Sequence, residues 1–296
     1  MFWGIQNLIR FKTLKKNLLP YLCKMKKKPR DKKAKSTFHK FVRPSRPKKT
    51  VPERKKEITE EMRLSKYVAH CGIAARRKAA EYIKQGLVHL NNEVVREPGV
   101  KVKPGDVVKY RGKVITPELE KVYILMNKPK DTITTAKDEL GRKTVFDILG
   151  DEIKVRLFSV GRLDRATTGL LLLTNDGDLA KKLSHPSHEI SKLYHITLDK
   201  PVTEAHLKQS AAGLELEDGF TPVDKVSYVK GKAKNEIGIE IHIGRNRIVR
   251  RIFEHFGYKV KHLDRTYYAG LTKKDLARGK YRFLKERELV MLKHFT

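Results

Sequence analysis

Cysteine is scarce in this chain of 296 residues, with only Cys23 and Cys71. Two cysteines make no disulfide framework, and the pattern suits a reducing compartment. There is no CxxC pair, and the eleven histidines are scattered without metal-ligand spacing, so no zinc site is expected. No stretch approaches the roughly 20 apolar residues of a membrane-spanning helix. The GxGxxG and GxxxxGK[ST] signatures are missing, which removes the common dinucleotide and nucleoside-triphosphate sites. A methyltransferase would show a Gly-rich cofactor loop after its first strand, and none is seen. No internal repeat is present.

Acids are in short supply too, with 34 Asp+Glu against 66 Lys+Arg and a formal net charge of +32. Such an excess points to a polyanionic partner, nucleic acid first. An anionic membrane surface would want a long amphipathic face, and the chain shows none. Residues 1–56 hold twenty Lys/Arg and two acids, Asp31 and Glu53, a net of +18 that leaves +14 for the other 240 residues. Residues 1–60 are expected to be a disordered basic arm, too poor in apolar side chains to offset the entropy of ordering. The first 24 residues read either as a mitochondrial-type transit segment or as an extension ahead of a start at Met25, with the second preferred.

Ordered structure is expected from about residue 61. Leu64, Val68 and Cys71 recur at helical spacing up to Gly72, and a second helix spans about 75–85 with Gly86 beyond it. Arg76, Arg77 and Lys78 fill that helix's first turn, the wrong charge for the positive end of its dipole unless a phosphate binds there. LVHLNNEVV reads as two strands about Asn91-Asn92, and Pro104-Gly105-Asp106 as a turn into VVKYRGKVI. The larger part, 117–296, mixes strands and helices without strict alternation. That favours an α+β domain with a largely antiparallel sheet. Its strands are VYILMNKP, FSVGRLD, GLLLLTND, KLYHITLDKP, EIGIEIHIG and VKHLDRTYYAGLT. Its helices are DLAKKLSH, capped by Asp178 and stopped by Pro186, and NRIVRRIFEHFGY. In the latter, Ile248, Ile252, Phe253 and Phe256 share one face while Arg245, Arg247, Arg250 and Arg251 lie mostly on the other. Ile243 and Leu263 are expected in the core.

Against this shortage of acids, GRLDRATTGLLLLTNDG (161–177) sets Asp164 between Arg162 and Arg165. Nearby positive charge keeps such a carboxylate ionised. Taken by itself, the arrangement suits either an inert ion pair or a held nucleophile.

Two resemblances decide between them. RLSKYVAHCGIAARRKAAEYIKQGLVHLNNEVV with VKPGDVV resembles the S4 RNA-binding domain, which implies that Arg76, Arg77 and Lys78 face RNA phosphates and assigns 61–116 to that domain. One departure is Ala75, where the family has a helix-capping Ser; its loss is expected to cost ~1 kcal/mol. GRLDRATTGL with LLLTNDG, together with NKP, KLY and GRNRIVRR in order, resembles the pseudouridine synthases of the RsuA/RluB branch, over about 62–292. The resemblance implies a catalytic domain at 117–296 that isomerises a uridine in RNA without cofactor or metal. It implies Asp164 as the nucleophile, Tyr194 as the active-site tyrosine on the uracil, and Arg250 as the basic partner of the acid. Arg245, Arg247 and Arg251 are then expected at phosphates, and Arg162 and Arg165 at the RNA beside the loop. Asn246 between the arginines is closer to the large-subunit type, so 23S rRNA near the peptidyl-transferase centre is expected as target rather than 16S. A cytoplasmic monomer, with ribosomal RNA as partner and no membrane association, is expected. The rival reading is a non-enzymatic S4-type ribosome-assembly factor, which would share the charge but have no need of Asp164, Tyr194 and Arg250 together.

Overall fold

The computed structural model describes residues 60–294 apart from Leu119 and Lys137. The basic arm, the transit-segment alternative and Cys23 lie outside the described residues.

The first part is a small helix–sheet module. Strand β1 (Met62–Arg63) leads into α1 (Leu64–His70) and α2 (Arg76–Lys84); then follow β2 (Val88–Leu90), β3 (Glu93–Val94), β4 (Lys101–Val102), β5 (Val108–Tyr110) and β6 (Lys113–Val114). The two hairpins turn where side chains tolerate the left-handed region. Asn91 and Asn92 sit at φ 49° and 73°, and Arg111-Gly112 at 49° and 78°, the turn geometry that matches strand twist. Leu64, Val68, Ala79, Ile83, Val88, Val102 and Val108 close a core of their own.

The second part is built on nine strands: β7 (Tyr123–Lys128), β8 (Phe158–Val160), β9 (Thr168–Thr174), β10 (Lys192–Leu198), β13 (Lys225–Tyr228), β14 (Glu236–Ile241), β15 (Val260–Tyr268), β16 (Leu271–Thr272) and β17 (Tyr281–Phe283). A separate hairpin, β11 (Leu214–Leu216) with β12 (Gly219–Thr221), lies between β10 and β13. The main sheet runs β13-β14-β10-β15-β9-β7-β17, with β8 on β9 and β16 on β15. Every pairing is antiparallel except β15 with β9. Its helices are α3 (Val145–Leu149), α4 (Gly177–Ser184), α5 (Glu204–Ala211), α6 (Ile248–Glu254) and α7 (Glu286–His294). Two cores flank the sheet. Leu171, Leu173, Ile196, Ile239, Ile252 and Phe253 belong to one, and Leu125, Leu170, Leu172, Leu179 and Tyr268 to the other. Alternating leucines of β9 therefore feed both faces, and a strand covered on both sides reads as one continuous apolar run.

Two local expectations are corrected. The cap of α4 is Asp176, whose carboxylate accepts from the Leu179 N–H at 3.2 Å. Asp178 falls one residue inside the helix, where its carboxylate pairs with Lys66 of α1 at 3.0 Å and links the two parts. The helix after GRNR is also shorter than its pattern, and Arg250 is buried among Ile248, Val249, Ile252 and Phe253 rather than lying on the exposed face. The apolar period misled because a buried arginine was counted as a solvated one. No helix among the described residues is long and apolar enough to cross a membrane.

Candidate active site

A cleft of about 760 Å³ opens beside the β9–β15 crossing, where the loop between β8 and β9, the strands β10 and β15 and the start of α6 converge. The loop between β8 and β9 brings the acid there. Gly161 turns it at φ 70°, Leu163 is buried as an anchor, and the Thr167 N–H donates to the Asp164 carbonyl at 3.0 Å. Arg162 is exposed at the cleft rim, and Asp164 faces the cleft with its side chain 40% exposed.

The loop is pinned from below by Lys128, the last residue of β7. Its side chain is fully buried, and its Nζ donates to the carbonyls of Thr167 at 2.7 Å, Pro129 at 3.1 Å, Asp164 at 3.1 Å and Arg165 at 3.3 Å. Burial pushes the ammonium down to about 8, against the raising pull of Asp164 and Asp131. Three carbonyls of the 164–167 turn and that of Pro129 share this one cation; the Asp164 and Arg165 carbonyls also accept from the Thr167 and Asp131 N–H groups. The sequence reading passed over Lys128; its signal was a cation closing an otherwise apolar strand.

Arg250 approaches Asp164 from the protein side. Its Nε lies 3.9 Å from the Asp164 carboxylate, an ion-pair distance too long for a hydrogen bond. Nη1 donates to the Val260 carbonyl at 3.0 Å, while the buried Nε has no hydrogen-bond acceptor. Burial, then Arg247, lower its affinity for the proton, yet a guanidinium stays charged. Tyr194, 8% exposed, lies in β10 on the cleft floor and pairs across the sheet with Ile239 and Arg265. Asp164 and Tyr194 thus share one cavity, with Arg250 behind the acid.

The other arginines divide. Arg162, Arg245 and Arg247 line the cleft. Arg245 also donates to the Gly219 carbonyl at 2.9 Å, and Arg247 pairs with Glu254 at 3.0 Å. Arg251 does not line it; its guanidinium grips Asp218 at 2.5 and 2.9 Å and holds that carboxyl down at about 2. Arg165 turns away to Asp131 at 3.2 Å. Arg76, Arg77 and Lys78 are exposed on the first turn of α2, which Ala75 leaves without a side-chain cap; Lys78 also pairs with Glu81 at 2.6 Å. Ile243 and Leu263 pack into the core as their apolar character suggests. Among the described residues, no group of His, Cys, Asp and Glu is placed to hold a metal ion.

A cleft with one ionisable acid, an aromatic floor and a rim of arginines suits a base lifted out of a polyanion. Comparison with known proteins agrees. The RNA pseudouridylate synthase family profile matches residues 122–255, and the S4 domain profile matches 62–108. The ribosomal large subunit pseudouridine synthase B of Bacillus subtilis is 43% identical over 234 residues, covering 78% of this chain and 95% of that protein. The dual-specificity RNA pseudouridine synthase RluF of Escherichia coli K12 is 39% identical over 78% of each chain. A crystal structure of a pseudouridylate synthase superposes with a TM-score of 0.57 at 29% identity, covering 78% of this chain and 99% of that one. The chain, an S4 domain followed by a synthase fold, belongs to the RNA pseudouridine synthase family.

Proposed function

We propose that the protein converts a uridine of 23S ribosomal RNA to pseudouridine, with Asp164 as the reacting carboxylate. The observation that carries this reading is the meeting of Asp164 with the buried Arg250 at 3.9 Å on the wall of a cleft floored by Tyr194. The ribosomal target rests on the large-subunit relative in Bacillus subtilis at 43% identity.

The reaction is an isomerisation. The C1′–N1 bond breaks and its electron pair goes to the base; the base turns; C5 bonds to C1′, C5 gives up its proton, and N1 gains one. No electron donor or acceptor is consumed. A carboxylate beside the sugar serves the first step in either of two forms, as nucleophile at C1′ or as base at C2′ on the way to a glycal. Arg250 holds that carboxylate ionised and aimed. Tyr194 stacks on the extruded uracil and is within the same cavity as the C5 proton's exit. Extrusion costs a few kcal/mol. Phosphate contacts from Arg162, Arg245 and Arg247 at the rim, and from Arg76, Arg77 and Lys78 on the S4 helix, offset it. Arg165 and Arg251, held by Asp131 and Asp218, join only if RNA displaces those acids.

The test is tritium release from [5-³H]uridine-labelled 23S and 16S rRNA, wild type beside Asp164→Asn. Release from 23S alone, lost in the variant while RNA binding persists, is expected. Release from 16S would overturn the target. No release from either RNA, naked or in immature particles, would return the assembly-factor reading.

A further inference from the structure

The floor of the cleft holds a second buried arginine for which the chemistry above has no use. Arg265 is 2% exposed and lies directly across the β10–β15 pairing from Tyr194, on the same face of the sheet. Its orientation is fixed. Nε–H donates to the Leu170 carbonyl at 2.7 Å, and the guanidinium lies 4.6 Å from the centre of the Tyr268 ring. Of the five N–H donors on a guanidinium, Nε–H alone has an acceptor among the described residues, and Nη2 is buried with none there.

No carboxylate among the described residues lies within ion-pair reach of it. Its sequence neighbour Asp264 points to the opposite face, where Lys273, Arg278 and the Thr168 hydroxyl occupy it. Lys192, the nearby lysine of the floor, adds positive charge and spends its Nζ on the Ile190 and His242 carbonyls. Burial and then Arg265 push the Lys192 ammonium down to about 8. An unpaired buried cation is costly to a fold. One left facing a cavity marks where negative charge is to be received.

We propose that Arg265 is the electrostatic partner of the target base: its guanidinium faces the carbonyl oxygens of a uracil seated on Tyr194 and stabilises the charge that the base takes up as C1′–N1 breaks. The assignment rests on the synthase reading. The electron pair of the broken bond spreads over N1 and the two carbonyl oxygens, and returns when C5 bonds to C1′. Arg265 neither gives nor takes a proton and stays charged throughout. A phosphate is the poorer occupant, since the exposed arginines at the rim meet phosphates without stripping them of water, whereas a neutral base enters an apolar floor and becomes charged only there.

The experiment compares wild type, Arg265→Met and Arg265→Lys in single turnover at saturating RNA, on the same oligonucleotide carrying uridine or 5-fluorouridine at the target. Loss of the parent nucleoside is read by liquid chromatography of nuclease digests, which separates isomers of equal mass. On 5-fluorouridine, whose C5 holds fluorine where the departing proton would be, this reads C1′–N1 cleavage and C5–C1′ bonding alone. Fluorine withdraws electrons and makes the base an easier leaving anion. Arg265→Met is expected to slow the uridine substrate roughly 100-fold, with RNA affinity within about threefold of wild type, and to lose at least tenfold less on 5-fluorouridine. Arg265→Lys recovers part of the rate. Equal losses on both substrates, or no loss, overturn the assignment. Should Arg265→Met fail to fold, the Arg265→Lys pair of rates makes the same comparison. A wild-type chain inert on both RNAs would overturn the synthase reading itself, whereas an active one with equal losses overturns only the role of Arg265.

Discussion

Lys128 holds the loop that carries Asp164 without itself lining the cleft. Its ammonium serves four carbonyls around the Asp164 turn. Methionine there matches its length but donates nothing. Lys128→Met is therefore expected to lower stability by roughly 2–5 kcal/mol, chiefly from the Thr167 and Pro129 carbonyls that lose this donor, since the Asp164 and Arg165 carbonyls keep backbone N–H partners. In whatever fraction stays folded, turnover should fall far more than RNA affinity, because the loop no longer holds Asp164 against Arg250. Thermal unfolding beside filter binding and single-turnover rates separates these effects; a variant with normal stability and rate would show that the turn holds itself. Arg250 differs in kind. Its Nε keeps no acceptor but the nearby carboxylate, so the acid and the arginine are expected to fail together rather than additively.

At the scale of elements, the crossing of β9 and β15 sets the site. This is the one parallel contact of the main sheet, and Gly169 makes it possible: at φ 104° a Cβ would stand 2.3 Å from the Arg265 carbonyl oxygen. Gly169→Ala combines a forbidden dihedral with backbone overlap and should cost roughly 2–5 kcal/mol; a denaturant midpoint unchanged from wild type would show that the two strands can part without penalty. Much of this architecture was legible in the sequence. β9 announced itself as four leucines closed by Asn-Asp-Gly, β14 by strict alternation, and α1 and α2 by their spacing and terminal glycines. The hairpin β11–β12, the helices α3, α5 and α7 and the edge strand β17 were not foreseen: α3 and the strands are short, and α5 and α7 bury too few residues to show a clear apolar face. α4 was found but its cap was placed two residues late, since Asp176 and Asp178 offer the same chemistry and only the backbone decides. Of the site, the motif residues could be named from their order alone. Lys128 and Arg265 could not, since what distinguishes them is burial without a counter-charge, and burial is a property of the folded sheet.

For the whole molecule, charge sets affinity and the cleft sets rate. Residues 57–296 carry a net +14 and residues 1–56 add +18. RNA binding should therefore weaken steeply with salt, log K falling linearly with log salt. Removing residues 1–56 should flatten that slope and weaken binding at low salt while leaving the single-turnover rate at saturating RNA unchanged. A slope equal to the full chain's would mean that those cations meet no phosphate. The two parts within 60–294 are joined at the surface by Lys66 with Asp178 and by the Glu118 N–H to the His70 carbonyl, contacts that salt and strain can loosen. The opposite extreme is β9, every residue of which is buried and which is flanked by β7, β8 and β15. Its amides should exchange with deuterated solvent only when the entire domain opens. Asp164 sits four residues before that strand, so as the chain is progressively loosened, its lodging is expected to survive almost to the end, after the surface contacts between the two parts have parted.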